Sequence, residues 1–213
     1  MTVKLRIVTM QTVLYEFKDS LYINLTNRCS NSCDFCIRNF KDGVNGNPLW
    51  LDYEPTAAEV VAMLDRKDLS AYKEVVFCGF GEPTCALPVL VEVARYLKSR
   101  GAATRINTNG QANLINGVDN AAAIIAPVID HVSVSLNASN AEKYQAMCHS
   151  EFGEAGFDAM LTFTRQCVEA GIDTAMTVVD CIGAKEIEAC RACAESVGAK
   201  FRVRPLVSEN DEY

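Results

Sequence analysis

The sequence predicts an α/β fold: a partial, open (β/α)6 barrel of TIM type with an N-terminal β-hairpin in front of it. Three observations carry that expectation. Strand-like and helix-like segments alternate along the chain, the pattern of βα units whose parallel strands are joined by right-handed crossovers. Six such units can be read from the 213 residues, whereas a complete eightfold barrel takes about 250. A composition that is 49% hydrophobic and 22% charged supplies a core, so wholesale disorder is excluded and a single domain over 1–213 is expected. A doubly wound sheet has the same alternation and stands as the alternative, because periodicity does not report closure.

The hairpin falls at 1–18, with Val3–Val8 and Thr12–Phe17 as its arms; the barrel occupies 19–207, and 208–213 is a short tail. Barrel strands are expected at Leu21–Leu25, Glu74–Gly79, Ala103–Asn107, His131–Leu136, Thr174–Val179 and Lys200–Leu206. These are β-branched and aliphatic runs closed by polar or glycine-rich residues. Between them, Thr56 and Glu59 form a capping box ahead of Val60, Met63 and Leu64. Leu90, Val93, Ala94 and Leu97 keep helical spacing up to Gly101. Asp119 is placed to cap Ala121–Ala126, which Pro127 ends. Phe157, Met160, Leu161, Thr164 and Val168 run to Gly171, and Ile187, Cys190, Ala194 and Val197 run to Gly198.

The formal net charge of −7 argues against a nucleic-acid binder that works by general electrostatics. The longest apolar run, Ala121–Ile129, is interrupted by Pro127 and falls short of the about twenty residues of a membrane helix. Met1–Val8 alternates basic and aliphatic residues without the apolar block of a signal peptide, which points to the cytoplasm. The ten cysteines are then expected to be reduced, favouring metal or redox chemistry over a disulfide framework.

Cys29, Cys33 and Cys36 follow the first barrel strand, with Ser30, Asn31, Ser32 and Asp34 making the loop polar. Three thiols so close can wrap one cubane [4Fe-4S] cluster, each on a different iron. Four would close the cluster for electron transfer. Three leave one iron open to an exogenous ligand, by the logic that separates catalytic from structural zinc sites. Structural zinc and chance clustering of core cysteines are the alternatives. Zinc wants two cysteine pairs, and the only other pair at conventional spacing, Cys190 and Cys193, lies far along the chain.

The C-x3-C-x2-C spacing, with the aromatic Phe35 before the last cysteine and a strand just ahead, resembles the radical S-adenosylmethionine (SAM) superfamily. The resemblance implies Cys29, Cys33 and Cys36 as cluster ligands and Phe35 beside the adenine. It implies an open iron chelated by the amino and carboxylate groups of SAM. An electron from the cluster then cleaves a carbon–sulfur bond to give a 5′-deoxyadenosyl radical that abstracts hydrogen from a substrate, chemistry that belongs to the cofactor while the protein binds and orients. Gly79-Phe80-Gly81-Glu82-Pro83 follows the second strand, where the family has a Gly-Gly-Glu-Pro element recognising the methionyl amino group. Phe80 replaces the first glycine; Gly81, Glu82 and Pro83 remain. Gly81 permits close backbone approach and Glu82 can accept from an ammonium group, with an ordinary turn as the structural alternative. Asn107 and Asn109 end the third strand like the family's Thr-Asn/Asp-Gly element. Ser135 and Asn137 end the fourth, where relatives contact the ribose hydroxyls and the methionyl carboxylate.

The runs 21–29, 134–138, 178–180 and 201–205 are similar to the short TatD-associated radical SAM group, which is linked by name to a metal-dependent hydrolase. Its implied partners are an unknown substrate and an electron donor such as flavodoxin or ferredoxin. The runner-up enzymes are glycyl-radical-activating and 7-carboxy-7-deazaguanine-synthase-like. An electron-transfer iron–sulfur protein, which a fourth cysteine near the first three would favour, and a zinc-stabilised binding module are the other classes.

Among the remaining cysteines, Cys78 and Cys167 read as small core residues. Cys190 and Cys193, with Cys181, suggest a second cluster, but the family's auxiliary-cluster extensions have more cysteines and a longer tail than follows Leu206. The role of Cys85 stays open. Cys148 and His149 are expected in a rim loop between Ala138 and Gly156, Cys148 as a candidate substrate-side thiol or an incidental rim residue. His131, ahead of its strand, reads as structural. In the last strand Arg202 and Arg204 alternate with Phe201 and Val203, so the arginines face the barrel interior. Arg204 is the candidate contact for SAM's carboxylate or an anionic substrate group, with an ion pair to Asp180 as the alternative.

Overall fold

The computed structural model describes residues 11–206. In chain order the first half forms β1 (Leu14–Phe17), β2 (Ser20–Ile23), the short ribbon β3 (Gly43–Val44) and β4 (Asn47–Pro48), α1 (Ala57–Leu64), β5 (Glu74–Phe77) and α2 (Leu87–Ser99). Then come β6 (Thr104–Thr108), α3 (Ala112–Asn116), α4 (Ala121–Ile125), β7 (His131–Ser135), α5 (Ala141–Cys148), α6 (Ala155–Glu169), β8 (Asp173–Val179), α7 (Ala184–Ser196) and β9 (Lys200–Arg204). The main sheet has the order β1-β2-β5-β6-β7-β8-β9. From β2 onward the neighbours are parallel, and β1 pairs antiparallel with β2. Among the described residues β1 and β9 end the sheet instead of joining, so the six parallel strands make the expected partial, open barrel.

The outer face of the sheet is apolar. Leu21, Val75, Phe77, Ile106, Val132, Val134 and Met176 are buried there in one core with Leu90, Val93 and Leu97 of α2 and Phe163 of α6. The inner face, taken from the other residue of each strand pair, carries Tyr22, Arg105, Asn107, Ser133, Ser135, Arg202 and Arg204. A second small cluster of Tyr15, Leu49 and Phe80 closes the β1–β2 side, backed by Tyr22, Ile37 and Val44. This explains Phe80 where a glycine was expected. Its ring meets Trp50 edge-on at 5.1 Å and fills that cluster.

The Thr56–Glu59 capping box is formed as expected, each partner holding the other's backbone N–H. Four details differ. The strand Leu14–Phe17 hairpins with the first barrel strand, Tyr15 opposite Tyr22, while its expected partner Val3–Val8 lies outside the described residues. Asn120, not Asp119, caps α4, its side chain accepting from the Ala123 N–H. The segment expected as a rim loop holds helix α5, because the Asn140 side chain caps it at the Lys143 N–H and buries Tyr144 and Cys148 four residues apart on one face. The last strand ends at Arg204, and of its outward pair Phe201 packs on the core while Val203 stays 37% exposed.

Candidate functional site

The loop carrying Cys29, Cys33 and Cys36 leaves the C-terminal end of β2, where conserved chemistry on an α/β barrel gathers. Backbone hydrogen bonds staple it to the end of α5: Ser32 N–H to Cys148 O at 2.9 Å, Asp34 N–H to Met147 O at 3.1 Å. The Glu151 N–H reaches Ser30 O at 2.8 Å, and His149 Nε2 lies 2.8 Å from Asp34 Oδ1. Beneath the loop runs a buried polar network. Ser30 Oγ donates to Gln111 Oε1 at 2.7 Å, while Gln111 Nε2 and Asn31 Nδ2 both donate to Tyr144 OH, at 3.0 and 2.8 Å. Gln111 and Tyr144 are fully buried, and the network fixes two loop positions, Ser30 and Asn31, against the start of α3 and against α5.

The Gly-Glu-Pro turn holds the other side of the loop. The Glu82 N–H bonds Arg28 O at 2.8 Å, and a Cβ on Gly81 would collide with the carbonyl oxygens of Thr26 and Arg28. Gly81 therefore allows backbone to approach backbone, one residue ahead of Cys29. Arg28 itself forks onto Glu54, Nε to Oε1 at 2.6 Å and Nη2 to Oε2 at 2.8 Å, and reaches Cys85 O at 2.7 Å. Pro83 is buried as the first residue of the short helical turn that Glu82 caps.

Glu82 is 3% exposed. Its Oε1 accepts from Thr84 N–H (3.0 Å), Thr84 Oγ1 (2.7 Å) and Thr108 Oγ1 (2.8 Å), and its Oε2 from the Asn109 N–H (2.6 Å). All four donors are neutral. Burial pushes the carboxyl above its ordinary range despite these bonds. Asn109 is fully engaged: Nδ2 donates to Ser30 Oγ at 2.8 Å, and Oδ1 accepts from Gln111 N–H at 3.0 Å. At the end of β7, Ser135 is partly exposed. Asn137, just beyond it, is 3% exposed and held at φ 62°, a left-handed conformation that is uncommon for a residue other than glycine. Its Nδ2 donates to Cys148 Sγ at 3.6 Å and its buried Oδ1 has no partner.

The three loop thiols are free and partly exposed. Burial pushes Cys29 up to about 12, with the Glu82 carboxylate adding to it. Burial likewise raises Cys36. Cys33 is raised by its hydrogen bond to Cys148 and then by burial, and the same bond lowers Cys148. Cys148 thus sits fully buried in the last turn of α5 beside Cys33. Phe35 is half-buried against the main core. Asp34, Asn137, Ala138, Lys143, Cys181 and Glu186 line a cleft of about 540 Å³ between α5 and the loop after β8.

Arg204 lies at the C-terminal end of β9, and its charge acts on the Cys78 thiol of the interior. Its contact with Asp180 is through the backbone, Asp180 N–H to Arg204 O at 2.8 Å. Cys167 and Cys190 are fully buried core residues, Cys193 packs beside them and Cys181 is exposed. His131 bonds Asp173 at the opposite end of the sheet, 3.2 Å away. The sequence reading missed Gln111, Tyr144 and Glu54, whose partners lie more than twenty residues away. It also missed the approach of Cys148 to Cys33.

The Radical SAM superfamily model matches residues 23–190. The chain belongs to the radical SAM superfamily. Members of this enzyme family use a [4Fe-4S] cluster and SAM. SuiB of Streptococcus suis bound to S-adenosylmethionine superposes with a TM-score of 0.70 at 17% identity, over 92% of this chain and 42% of that one. TYW1 with a lysine–pyruvate adduct gives 0.61 at 18% identity, over 91% and 67%. A radical SAM methyltransferase from Sphaerobacter thermophilus gives 0.56 at 16% identity, over 92% and 70%. This chain spans about four-tenths of the length of SuiB. No curated protein sequence matches it.

The residues at the strand ends fit the superfamily's cofactors. Three free thiols on a polar loop supply the donors that a cubane needs. A buried carboxylate bonded only by neutral donors suits an ammonium group, and the unpartnered Asn137 Oδ1 suits a hydroxyl or amine. Among the described residues no helix is long and apolar enough to cross a membrane.

Proposed function

We propose that Cys29, Cys33 and Cys36 hold the [4Fe-4S] cluster with one iron open, and that SAM lies across the strand ends beside it. When bound, this pair supplies an electron that splits a carbon–sulfur bond of SAM and starts radical chemistry on a substrate. Glu82 accepts from the methionyl ammonium through the free lone pair of Oε2. Gly81 and Pro83 fix the turn that presents it. Ser135 and the Oδ1 of Asn137 face the ribose and methionyl groups, Phe35 borders the adenine, and Asn109 orients Glu82 and the cluster loop. Asn107 stands one inward position deeper. Arg28, Gln111 and Tyr144 hold the loop's shape. The carrying observation is Glu82, a fully buried carboxylate with neutral donors only, next to three free thiols.

The TatD-associated subgroup, and with it a hydrolase partner, rests on the sequence runs 21–29, 134–138, 178–180 and 201–205. The electron enters from a small iron–sulfur or flavin protein, flavodoxin or ferredoxin. Anaerobic reconstitution should give about four irons per chain, and a Cys29/Cys33/Cys36→Ala triple variant should bind none. With reductant, the loaded protein should convert SAM to 5′-deoxyadenosine. Iron retained by the triple variant defeats the ligand assignment.

One observation favours a second reading, a closed four-thiol cluster that only transfers electrons: Cys148 lies beside Cys33. A Cys148→Ala variant separates the two. Full iron content together with a SAM-induced change in the cluster's electron paramagnetic resonance spectrum supports the open site; loss of iron supports the closed one.

A further inference from the structure

The barrel interior below the strand ends is lined by polar and cationic side chains that the cofactor assignment does not use. Arg105 on β6 faces inward and is only 17% exposed. It pairs with Glu74 at 3.1 Å and reaches Tyr22 OH at 3.4 Å, but its buried Nε has no acceptor. Two residues on, about 7 Å along the strand, Asn107 presents a buried Oδ1 with no donor. Arg202 enters from β9 and makes a long 3.4 Å bond to Ser133, the residue paired with Asn107 across β6 and β7.

Two orphaned polar atoms of opposite kind on one strand are a costly arrangement. An unsatisfied buried group is destabilising, and native interiors keep few of them. An acceptor for the Arg105 Nε and a donor for the Asn107 Oδ1, delivered by one molecule, satisfy both. Arg202, with a weak neutral partner, adds a second guanidinium on the same side. Arg204 and Arg105 both act to lower the Cys78 thiol against its burial, while Glu82 acts to raise it and Glu74 pairs with Arg105.

The depth separates this site from SAM. Asn107 and Ser133 share a register pair, whereas Ser135 pairs with Thr177 one inward position higher and Asn137 lies above that; Arg202 is level with Ser135 through Thr177, but its guanidinium reaches down to Ser133. From the inward Arg105, Asn107, Ser133 and Arg202, we infer that the interior binds a small anionic substrate, a carboxylate or phosphate that also carries a hydroxyl or amine donor. Arg105 and Arg202 hold the anion and Asn107 receives the donor. The inference rests on the radical SAM reading for its placement beneath the cofactor.

The test is calorimetry on the anaerobically reconstituted full chain with L-malate, succinate and erythritol, and with SAM in parallel. Malate should bind, succinate (the same dianion without the hydroxyl) should bind more weakly, and neutral erythritol should not bind. Arg202→Gln should weaken malate about tenfold or more and leave SAM affinity within about twofold. Asn107→Ala should erase the preference for malate over succinate. Malate binding unchanged in Arg202→Gln, or succinate equal to malate in the wild type, overturns the inference. So does a parallel loss of SAM affinity in Arg202→Gln, which would put that arginine in the cofactor site. A wild-type chain that holds no iron and no SAM defeats the cofactor reading instead, whatever malate does.

Discussion

Two carboxylates stand at opposite ends of the parallel sheet with nearly the same set of neighbours. At the N-terminal end, Asp130 Oδ2 accepts from the Thr104 N–H at 2.9 Å and Thr104 Oγ1 at 3.1 Å, and Lys98 Nζ lies 2.6 Å from its Oδ1. At the C-terminal end, Glu82 accepts from threonine hydroxyls and backbone N–H groups, but from no cation. Their acidities move apart. Partial burial works to raise Asp130, and the bonds from Lys98 and Thr104 outweigh it, so its carboxyl falls below the ordinary range. Burial wins at Glu82 and its carboxyl rises. One end of the sheet is neutralised and serves the fold. The other is left short of a positive charge, which is what a site awaiting an ammonium group requires.

The largest expected effect is therefore at Glu82. Glu82→Ala should weaken SAM about ten- to a hundredfold, the loss of one charged hydrogen bond, as read by anaerobic calorimetry, while iron is retained. The wild-type affinity should also depend on pH with a fixed sign. A carboxyl whose pKa is raised by burial must lose its proton before it can receive an ammonium group, so affinity should climb as pH rises through that raised value. In the ligand-free protein the same shift favours folding at low pH, and that contribution is lost as pH rises through the folded value. Unchanged SAM affinity in the alanine variant would erase the contrast between the two ends.

A smaller effect is expected one residue earlier. Gly81→Ala forces a methyl group against the Thr26 and Arg28 carbonyls, and overpacking of this kind costs about 1–3 kcal/mol. The chain must part there, so the cluster loop loses its register and iron loading should drop in proportion to the fall in melting temperature. Normal loading with a lowered melting temperature would show that the turn supports the fold and not the loop.

Much of this was legible in the sequence. The βα alternation announced six parallel strands because a buried strand and an amphipathic helix leave different periods. The three cysteines and the Gly-Glu-Pro turn were legible because spacing along the chain is nearly spacing in space within a short loop. What escaped depended on distance along the chain. Cys148 reaches Cys33 only because Asn140 starts a helix where a rim loop was expected. Gln111 and Tyr144 look like an ordinary strand-end amide and a loop aromatic until the fold brings them under Ser30 and Asn31. Phe80 departs from the family's pattern for a reason visible only in three dimensions, the cluster it fills with Tyr15 and Leu49.

The smallest effect is expected at the floor, and it sharpens the comparison from the other side. Asp130→Asn removes the charge that holds Lys98 but keeps a side-chain oxygen for Thr104. The side chain is 35% exposed and its lysine partner 37%, so solvent screening limits the loss to about 1 kcal/mol or less. The sign with pH is opposite to that of Glu82. A carboxyl lowered in the folded state contributes stability above its unfolded acidity, and this is lost as pH falls through the folded value. Urea unfolding across the acid range should thus find wild type and variant diverging near neutrality and converging at low pH. Iron content and SAM affinity should not move, since Asp130 lies at the strand end remote from the cluster loop. A variant that folds as well as the wild type but loses SAM would reverse the roles assigned to the two ends.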